Sequence, residues 1–337
     1  MKQRYLKIKN SGINNLFPEE DLEAEMEKVE AYLSGICISG CLTEENKLYY
    51  ELYPQEDAKG TIVISFGFAE SARKYHELIY YFLNAGYQVA VMEHRGHGKS
   101  SREVKDSCVV HVDKFGQYAD DLHTFVQKIV LPGLLNGRTE KKRNLYLFGH
   151  SMGGCIAASY LESYPGDFDR AILNAPMLGL ELGRFPAWAA VLICDINILL
   201  GRGSERQFTH HVYDPAEPFG RSCAASQARH NYYVRIRREN IIYQTCAASY
   251  RWVREAIRAG RQVLRPKEAA KVSIPVLLFQ AGDDTTVSPG AQRKFIGRIP
   301  DGEIIIVPGA RHEIYRSGNP VLGSYLEAIF AFFQVSV

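Results

Sequence analysis

A chain of 337 residues, 46% hydrophobic and 23% charged, has a globular composition, with room for one large core and a sizeable insertion. The formal net charge of only +2, with no nucleic-acid-binding motif beside it, argues against a nucleic-acid partner. The seven cysteines are scattered without a C-x-x-C pair, so they point to neither a zinc site nor a disulfide framework and fit a reducing cytoplasm.

The first ten residues are charged and lead into no apolar run, so no signal peptide is expected. Leu22, Met26, Val29 and Leu33 recur at helical spacing and predict an amphipathic leading helix. Beyond it, short apolar runs predict strands near 61–65, 88–93, 144–149, 171–175, 275–280 and 303–307. Helices are expected between them, at Tyr75 to Ala85, Asp113 to Val130 and Met152 to Tyr164. Asn319-Pro320, an N-cap and N1 pair, opens a closing helix that turns Leu322, Leu326, Ile329 and Phe333 inward. This alternation predicts an α/β fold, a mostly parallel, doubly wound sheet with helices on both faces.

The alternation breaks after Met177. Residues 178–268 are expected to form an inserted helical cap, leaving 1–177 and 269–337 as the core, with 1–58 as a helical and strand extension. The insertion holds thirteen Arg and one Lys against eight acids, an excess of +6 in a chain of net +2. Such an excess is either a solvated face or an attractor for anionic groups. The run from Phe185 to Leu200 is the most apolar part, but Asp195 and Asn197 interrupt it and it falls short of the ~20 residues that span a bilayer. It reads as a buried helix, or as a lid that touches membrane or lines an acyl tunnel. Trp188 and Trp252 are candidate lining residues.

The chemistry centres on Gly149-His-Ser-Met-Gly153. A β-prone run precedes it and helix formers follow, the strand–turn–helix setting of a nucleophile elbow with Ser151 at its apex. A serine nucleophile needs a base and an acid that orients it, expected in the order Ser, Asp or Glu, His. The strand near 275–280 ends in Asp283-Asp284, and the strand near 303–307 empties into Pro308-Gly-Ala-Arg-His312. His312 is therefore the expected base. Of the two acids, the Asp284-x-x-Val287 pattern favours Asp284 and leaves Asp283 as an exposed loop residue. The loop Phe66-Gly-Phe-Ala-Glu70 after the first predicted strand nominates the amides of Phe68 and Met152 as oxyanion donors. Glu93-His-Arg-Gly-His-Gly98 has no partners at metal-ligand spacing and reads as a tight loop braced by Arg95. Neither metal nor cofactor is expected. Cys155, one turn beyond Ser151, reads as a packed small residue.

Together, Gly149–Gly154, Glu93–Ser100, Asn174–Met177, Ser249–Glu255 and Gly309–Glu313 resemble the lysophospholipase / monoacylglycerol lipase group of α/β-hydrolases, and above all its bacterial lysophospholipase branch. The likeness spans about residues 30–335. It implies a Ser151–Asp284–His312 triad that cleaves the single acyl ester of a lysophospholipid or monoacylglycerol through an acyl-enzyme. A general carboxylesterase, an acyltransferase and a catalytically silent ligand-binding protein are the alternatives. Relatives usually carry His-Gly where this chain has Phe66-Gly67, so the loop must be braced in another way. The expected partner is a small-molecule lipid ester, its phosphate met by Arg235, Arg237, Arg238 or Arg254. The expected location is the cytoplasm, with peripheral contact through the cap at the inner face of the membrane. The sequence does not indicate an oligomeric state.

Overall fold

The computed structural model describes residues 2–9, 16–42, 47–135, 144–183 and 185–334; Met1 and Asn10 of the amino-terminal stretch lie outside them. Its strands are β1 (Lys2–Tyr5), β2 (Ile38–Cys41), β3 (Tyr49–Tyr53), β4 (Thr61–Ser65), β5 (Gln88–Met92), β6 (Val109–Val110), β7 (Leu145–His150), β8 (Arg170–Asn174), β9 (Ala247–Ala248), β10 (Val276–Ala281) and β11 (Gly302–Val307). Nine of them form one sheet in the order β1-β11-β10-β8-β7-β4-β5-β3-β2. All neighbours from β1 to β5 run parallel, and only β3 runs against the rest, pairing antiparallel with β5 and with β2. The six strands read from the sequence are those with apolar residues on both faces. β4, β5, β7, β8 and β10 are buried throughout, as parallel strands under two helical layers must be.

Helices cover both faces. They are α1 (Leu22–Ile36), α2 (His76–Asn84), α3 (Gly116–Phe125), α4 (Leu131–Leu134), α5 (Met152–Ser163), α6 (Ala187–Leu199), α7 (Gln227–Glu239), α8 (Tyr250–Val263), α9 (Pro266–Ala269), α10 (Pro289–Ile296) and α11 (Asn319–Gln334). One core joins α3, α5 and α8 to the sheet through Tyr118, Leu122, Phe125, Ile156, Tyr160 and Trp252. The other joins α1, α2 and α11 through Met26, Leu33, Phe82, Leu322, Leu326 and Phe333. At ~25 cal/mol per Å² of apolar area, these two layers supply most of the driving force that holds the sheet flat enough to position its loops.

Between β8 and β10, which are sheet neighbours, the chain forms α6 to α9. Ser226 and Ser249 cap α7 and α8, each side chain accepting a backbone N–H in the first turn. The insertion also holds a strand that the sequence does not announce. β9 pairs in parallel with β6 through two residues, tying the insertion to the loop after β5. α6 corrects the buried-helix expectation, since of its residues only Cys194 is buried. Its sequence is apolar on nearly every side because one side faces a cavity and another faces outward. Among the described residues, no helix is long and apolar enough to cross a membrane.

Candidate active site

β7 runs into α5 through Ser151, whose φ of +51° is a conformation that L-residues adopt at a cost of order 1–3 kcal/mol. The neighbouring glycines make that turn possible. A Cβ at Gly153 would lie 2.0 Å from the carbonyl oxygen of Ser65, and one at Gly149 would lie 2.8 Å from the Cβ of Ala157. The turn is pinned on both sides, the Ser151 amide donating to the Asn174 carbonyl (3.1 Å) and its carbonyl accepting from Met177 (2.8 Å). Cys155 packs against this turn, fully buried, and burial pushes its thiol pKa up, away from nucleophilic thiolate.

The structure brings the three expected side chains together from the ends of three strands. His312 Nε2 lies 2.8 Å from Ser151 Oγ, and its Nδ1 lies 2.7 Å from Asp284 Oδ2. The other carboxylate oxygen of Asp284 accepts the amides of Thr286 (2.8 Å) and Val287 (3.2 Å). That pair of bonds is the physical content of the Asp-x-x-Val spacing. Burial opposes the charge on Asp284, but His312 and the two amides outweigh it and hold the carboxyl below its usual range. Asp283 is exposed, and His312 pairs with Asp284.

The amide of Met152 lies in the first turn of α5, where helical N–H groups have no intrahelical acceptor. Phe68 follows β4 and borders the same cavity as Ser151. The Phe66 ring is fully buried against the His94 ring, with centroids 4.6 Å apart, so it fills space and donates no hydrogen bond to the loop. Glu70 braces the loop instead. Its Oε2 accepts the amide of Gly67 (2.6 Å) and the hydroxyl of Tyr75 (2.7 Å); its Oε1 accepts Lys74 (2.7 Å) and Tyr315 (2.9 Å). Lys74 continues to Glu313 (2.6 Å), which also binds Arg316 (2.6 Å). A buried ionic chain therefore joins the loop before Phe68 to the residue after His312. Burial works against both carboxylates, but Lys74 holds each well below its ordinary range. Burial likewise holds His150, beside Ser151, down at about 4, so it is neutral near pH 7.

Ser151 opens onto an apolar cavity of about 540 Å³ walled by Phe68, Leu180, Ile193, Trp252 and Val287 among others. Trp252 packs against Phe68 with its ring tilted by 47° (centroids 4.4 Å) and donates its indole N–H to Tyr118 (3.2 Å). Phe68 also lines a second cavity of about 350 Å³, rich in charged side chains, which Arg237 helps to line. The remaining expected contacts lie elsewhere. Trp188 is 65% exposed on the outer side of α6, a helix that turns Ala190, Ile193 and Cys194 to the cavity. Arg235 pairs with Glu23 and Glu239, Arg254 with Asp195 and Glu255, and Arg238 binds the carbonyls of Pro215 and Ala216. Arg235 thus ties α7 to α1, Arg238 and Arg254 brace the insertion itself, and none of the three lines either cavity. Arg95 braces its loop as expected, with two bonds of 2.8 Å to Asp121 and one of 2.9 Å to Glu103. No group of three or more His, Cys, Asp or Glu among the described residues could hold a metal ion.

A serine raised on a strand–helix elbow, hydrogen-bonded to a histidine and an aspartate from later strands, defines an α/β-hydrolase. The family described as "Serine aminopeptidase, S33" matches residues 56–317. Lysophospholipase L2 of Escherichia coli (strain K12) is 32% identical over 290 residues, which cover 81% of this chain and 80% of that protein. Monoacylglycerol lipase of Mycolicibacterium smegmatis is 25% identical over 272 residues, 80% of this chain and 87% of that one. A soluble variant of monoglyceride lipase from Saccharomyces cerevisiae, solved with a substrate analog, superposes with a TM-score of 0.69 at 20% identity, covering 88% of this chain and 94% of that one. The chain belongs to the serine aminopeptidase S33 family of α/β-hydrolases, within which it is a relative of lysophospholipase L2.

Proposed function

We propose that this chain is a serine esterase that hydrolyses the single acyl ester of a glycerolipid, a lysophospholipid or a monoacylglycerol. The observation that carries the reading is the hydrogen-bonded line from Asp284 through His312 to Ser151, ending at the mouth of a large apolar cavity. The names of the relatives support the same substrate class.

In this reading His312 Nε2 takes the proton of Ser151 Oγ as the oxygen attacks the ester carbonyl. Asp284 fixes the tautomer that leaves Nε2 free to accept, and it stabilises the imidazolium that forms. The amides of Phe68 and Met152 receive the developing oxyanion, a contribution of about 2.7–4 kcal/mol per donor in sites of this kind. Collapse breaks the bond to the glycerol oxygen, which leaves as an alcohol carrying the proton from His312. Water, deprotonated by His312, then attacks the acyl-enzyme; the fatty acid departs and Ser151 regains its proton. The acyl chain occupies the apolar cavity throughout.

The outward side of α6 supports contact with a lipid surface. Trp188, Leu192, Ile196 and Leu199 are 48–86% exposed and recur every three or four residues, while the opposite side of the helix walls the acyl cavity. Seven free cysteines support a cytoplasmic location. The test is labelling of Ser151 by a fluorophosphonate, followed by fatty-acid release from lysophospholipids and monoacylglycerols. Absence of label, or label without release from either lipid class, overturns the proposal.

A further inference from the structure

The second cavity bordered by Phe68 is lined by four cations, Lys74, Arg221, Arg237 and Arg316, and by three acids, Asp214, Glu217 and Glu313. Most of these neutralise one another. Lys74 and Arg316 both bind Glu313 at 2.6 Å, and Arg237 binds Glu217 at 2.5 Å. Two side chains remain. Among the described residues, neither Arg221 nor Asp214 forms an ion pair, and both are exposed residues of the cavity lining. Asp214 has one oxygen engaged by the amide of Ala216 (2.9 Å), leaving its other oxygen free to accept.

Phe68 lines both cavities, and its amide is a proposed oxyanion donor. Glu313, next to the proposed base, lines only the polar one. An ester whose acyl chain fills the apolar cavity can therefore direct its alcohol portion past Phe68 into the charged one. A compartment whose ion pairs are closed except for one cation and one anion matches a dipolar ligand. A guanidinium meets a phosphodiester in bidentate fashion, and a carboxylate meets an ammonium. A neutral glycerol would leave both charges without partners.

We propose that this cavity is the leaving-group subsite for a zwitterionic glycerophospho-amine head group, with Arg221 on the phosphate and Asp214 on the amine. The assignment rests on the glycerolipid esterase reading and refines its substrate class. It moves phosphate recognition away from Arg235 and Arg254, which are paired with Glu23 and Asp195, and from Arg238, whose guanidinium binds the Pro215 carbonyl.

The test uses the full chain and three substrates of one acyl length: an acyl-glycerophosphoethanolamine, an acyl-glycerophosphoglycerol and a monoacylglycerol. In the wild type the phosphoethanolamine ester should have the highest kcat/KM, and rising salt should narrow its advantage. Arg221→Gln should lower kcat/KM for both phosphodiesters relative to the monoacylglycerol by about tenfold. Asp214→Asn should lower the ratio of the phosphoethanolamine to the phosphoglycerol ester by about threefold. The fluorophosphonate labelling rate of each variant reports whether its nucleophile is still assembled. Ratios unchanged in both labelled variants overturn the subsite while leaving the esterase reading intact. A wild type that hydrolyses none of the three lipids overturns both.

Discussion

Glu70→Gln tests whether a buried carboxylate holds the oxyanion loop. The carboxylate accepts four hydrogen bonds, two on each oxygen, from Gly67, Tyr75, Lys74 and Tyr315. An amide of the same shape offers one acceptor oxygen and turns an NH2 group towards donors. Whichever way it is flipped, the NH2 group faces one fixed donor, the Gly67 amide or the Lys74 ammonium, which loses its acceptor, while the tyrosine hydroxyl beside it can turn to accept. At about 1–3 kcal/mol for an unsatisfied buried donor, the fold should lose roughly that much. For 337 residues, an unfolding entropy of about 0.7 kcal/mol/K converts that loss into a Tm fall of about 1–4 °C. Activity should fall further than stability explains. If the loop before Phe68 relaxes, part of one oxyanion donor's contribution goes with it, and a full donor is worth about 10²–10³ in kcat. The expected result, measured well below Tm with a p-nitrophenyl ester, is a kcat lower by about 10- to 100-fold with KM little changed. Tyr75→Phe is the control, since it removes one of the four donors and leaves the carboxylate; it should cost about 1 kcal/mol and less than threefold in kcat. A Glu70→Gln enzyme with wild-type kcat and Tm would refute the bracing role.

Ser151→Ala should abolish fluorophosphonate labelling and reduce esterase activity to the residue left by the oxyanion hole, with Tm within a few degrees of wild type. Asp284→Asn should lower kcat by about 10⁴, because His312 loses the partner that fixes its tautomer, whereas Asp283→Asn should change it less than twofold; equal losses would contradict the hydrogen-bonded line. His76 is carried up to about 9: burial disfavours its charge, but hydrogen bonds to Glu30 (2.7 Å) and Glu51 (3.4 Å) outweigh that cost. A raised histidine stabilises the fold fully below its ordinary value of 6.5 and loses that contribution as pH rises through 9. The destabilisation caused by His76→Gln, from urea midpoints, should therefore be larger at pH 6 than at pH 9.5, and a pH-independent difference would argue that the imidazole is held neutral. Replacing Leu192 and Ile196 on the outer side of α6 by serine should weaken co-sedimentation with anionic vesicles by roughly tenfold or more; unaltered binding would remove α6 from the membrane contact.

The parts legible in the sequence are those where a local pattern has one physical cause. Buried parallel strands announce themselves as short apolar runs, and the elbow does so because Gly149 and Gly153 approach other backbone too closely for any Cβ. The Asp284-x-x-Val287 register was readable because the same carboxylate binds His312 and the Val287 amide. The edge strands left no such trace. β1 is fully exposed, β2 nearly so, and β3 carries Tyr and Glu on an antiparallel strand, so none shows an uninterrupted apolar run. β9 is two residues long, below any periodicity.

Charge was the least legible feature, and for a definite reason. The excess of arginine in the insertion is visible in the sequence, but its partners are not. Arg235 reaches Glu23 and Arg254 reaches Asp195, separations of 212 and 59 residues. Only folding shows that such charges are already neutralised and that Arg221 and Asp214 are not. The same holds for Glu70, whose acceptors' partners lie as far away as Tyr315. Phe66 marked the place where a brace had to be replaced, but its replacement is distributed over Glu70, Lys74 and Glu313. Such a network keeps its function only if every member is satisfied. A phenylalanine at position 66 and a charged relay beneath it are therefore two halves of one solution. Restoring a histidine at 66 alone would place a polar ring against the buried, already desolvated rings of His94 and His97, and should cost stability rather than improve the loop.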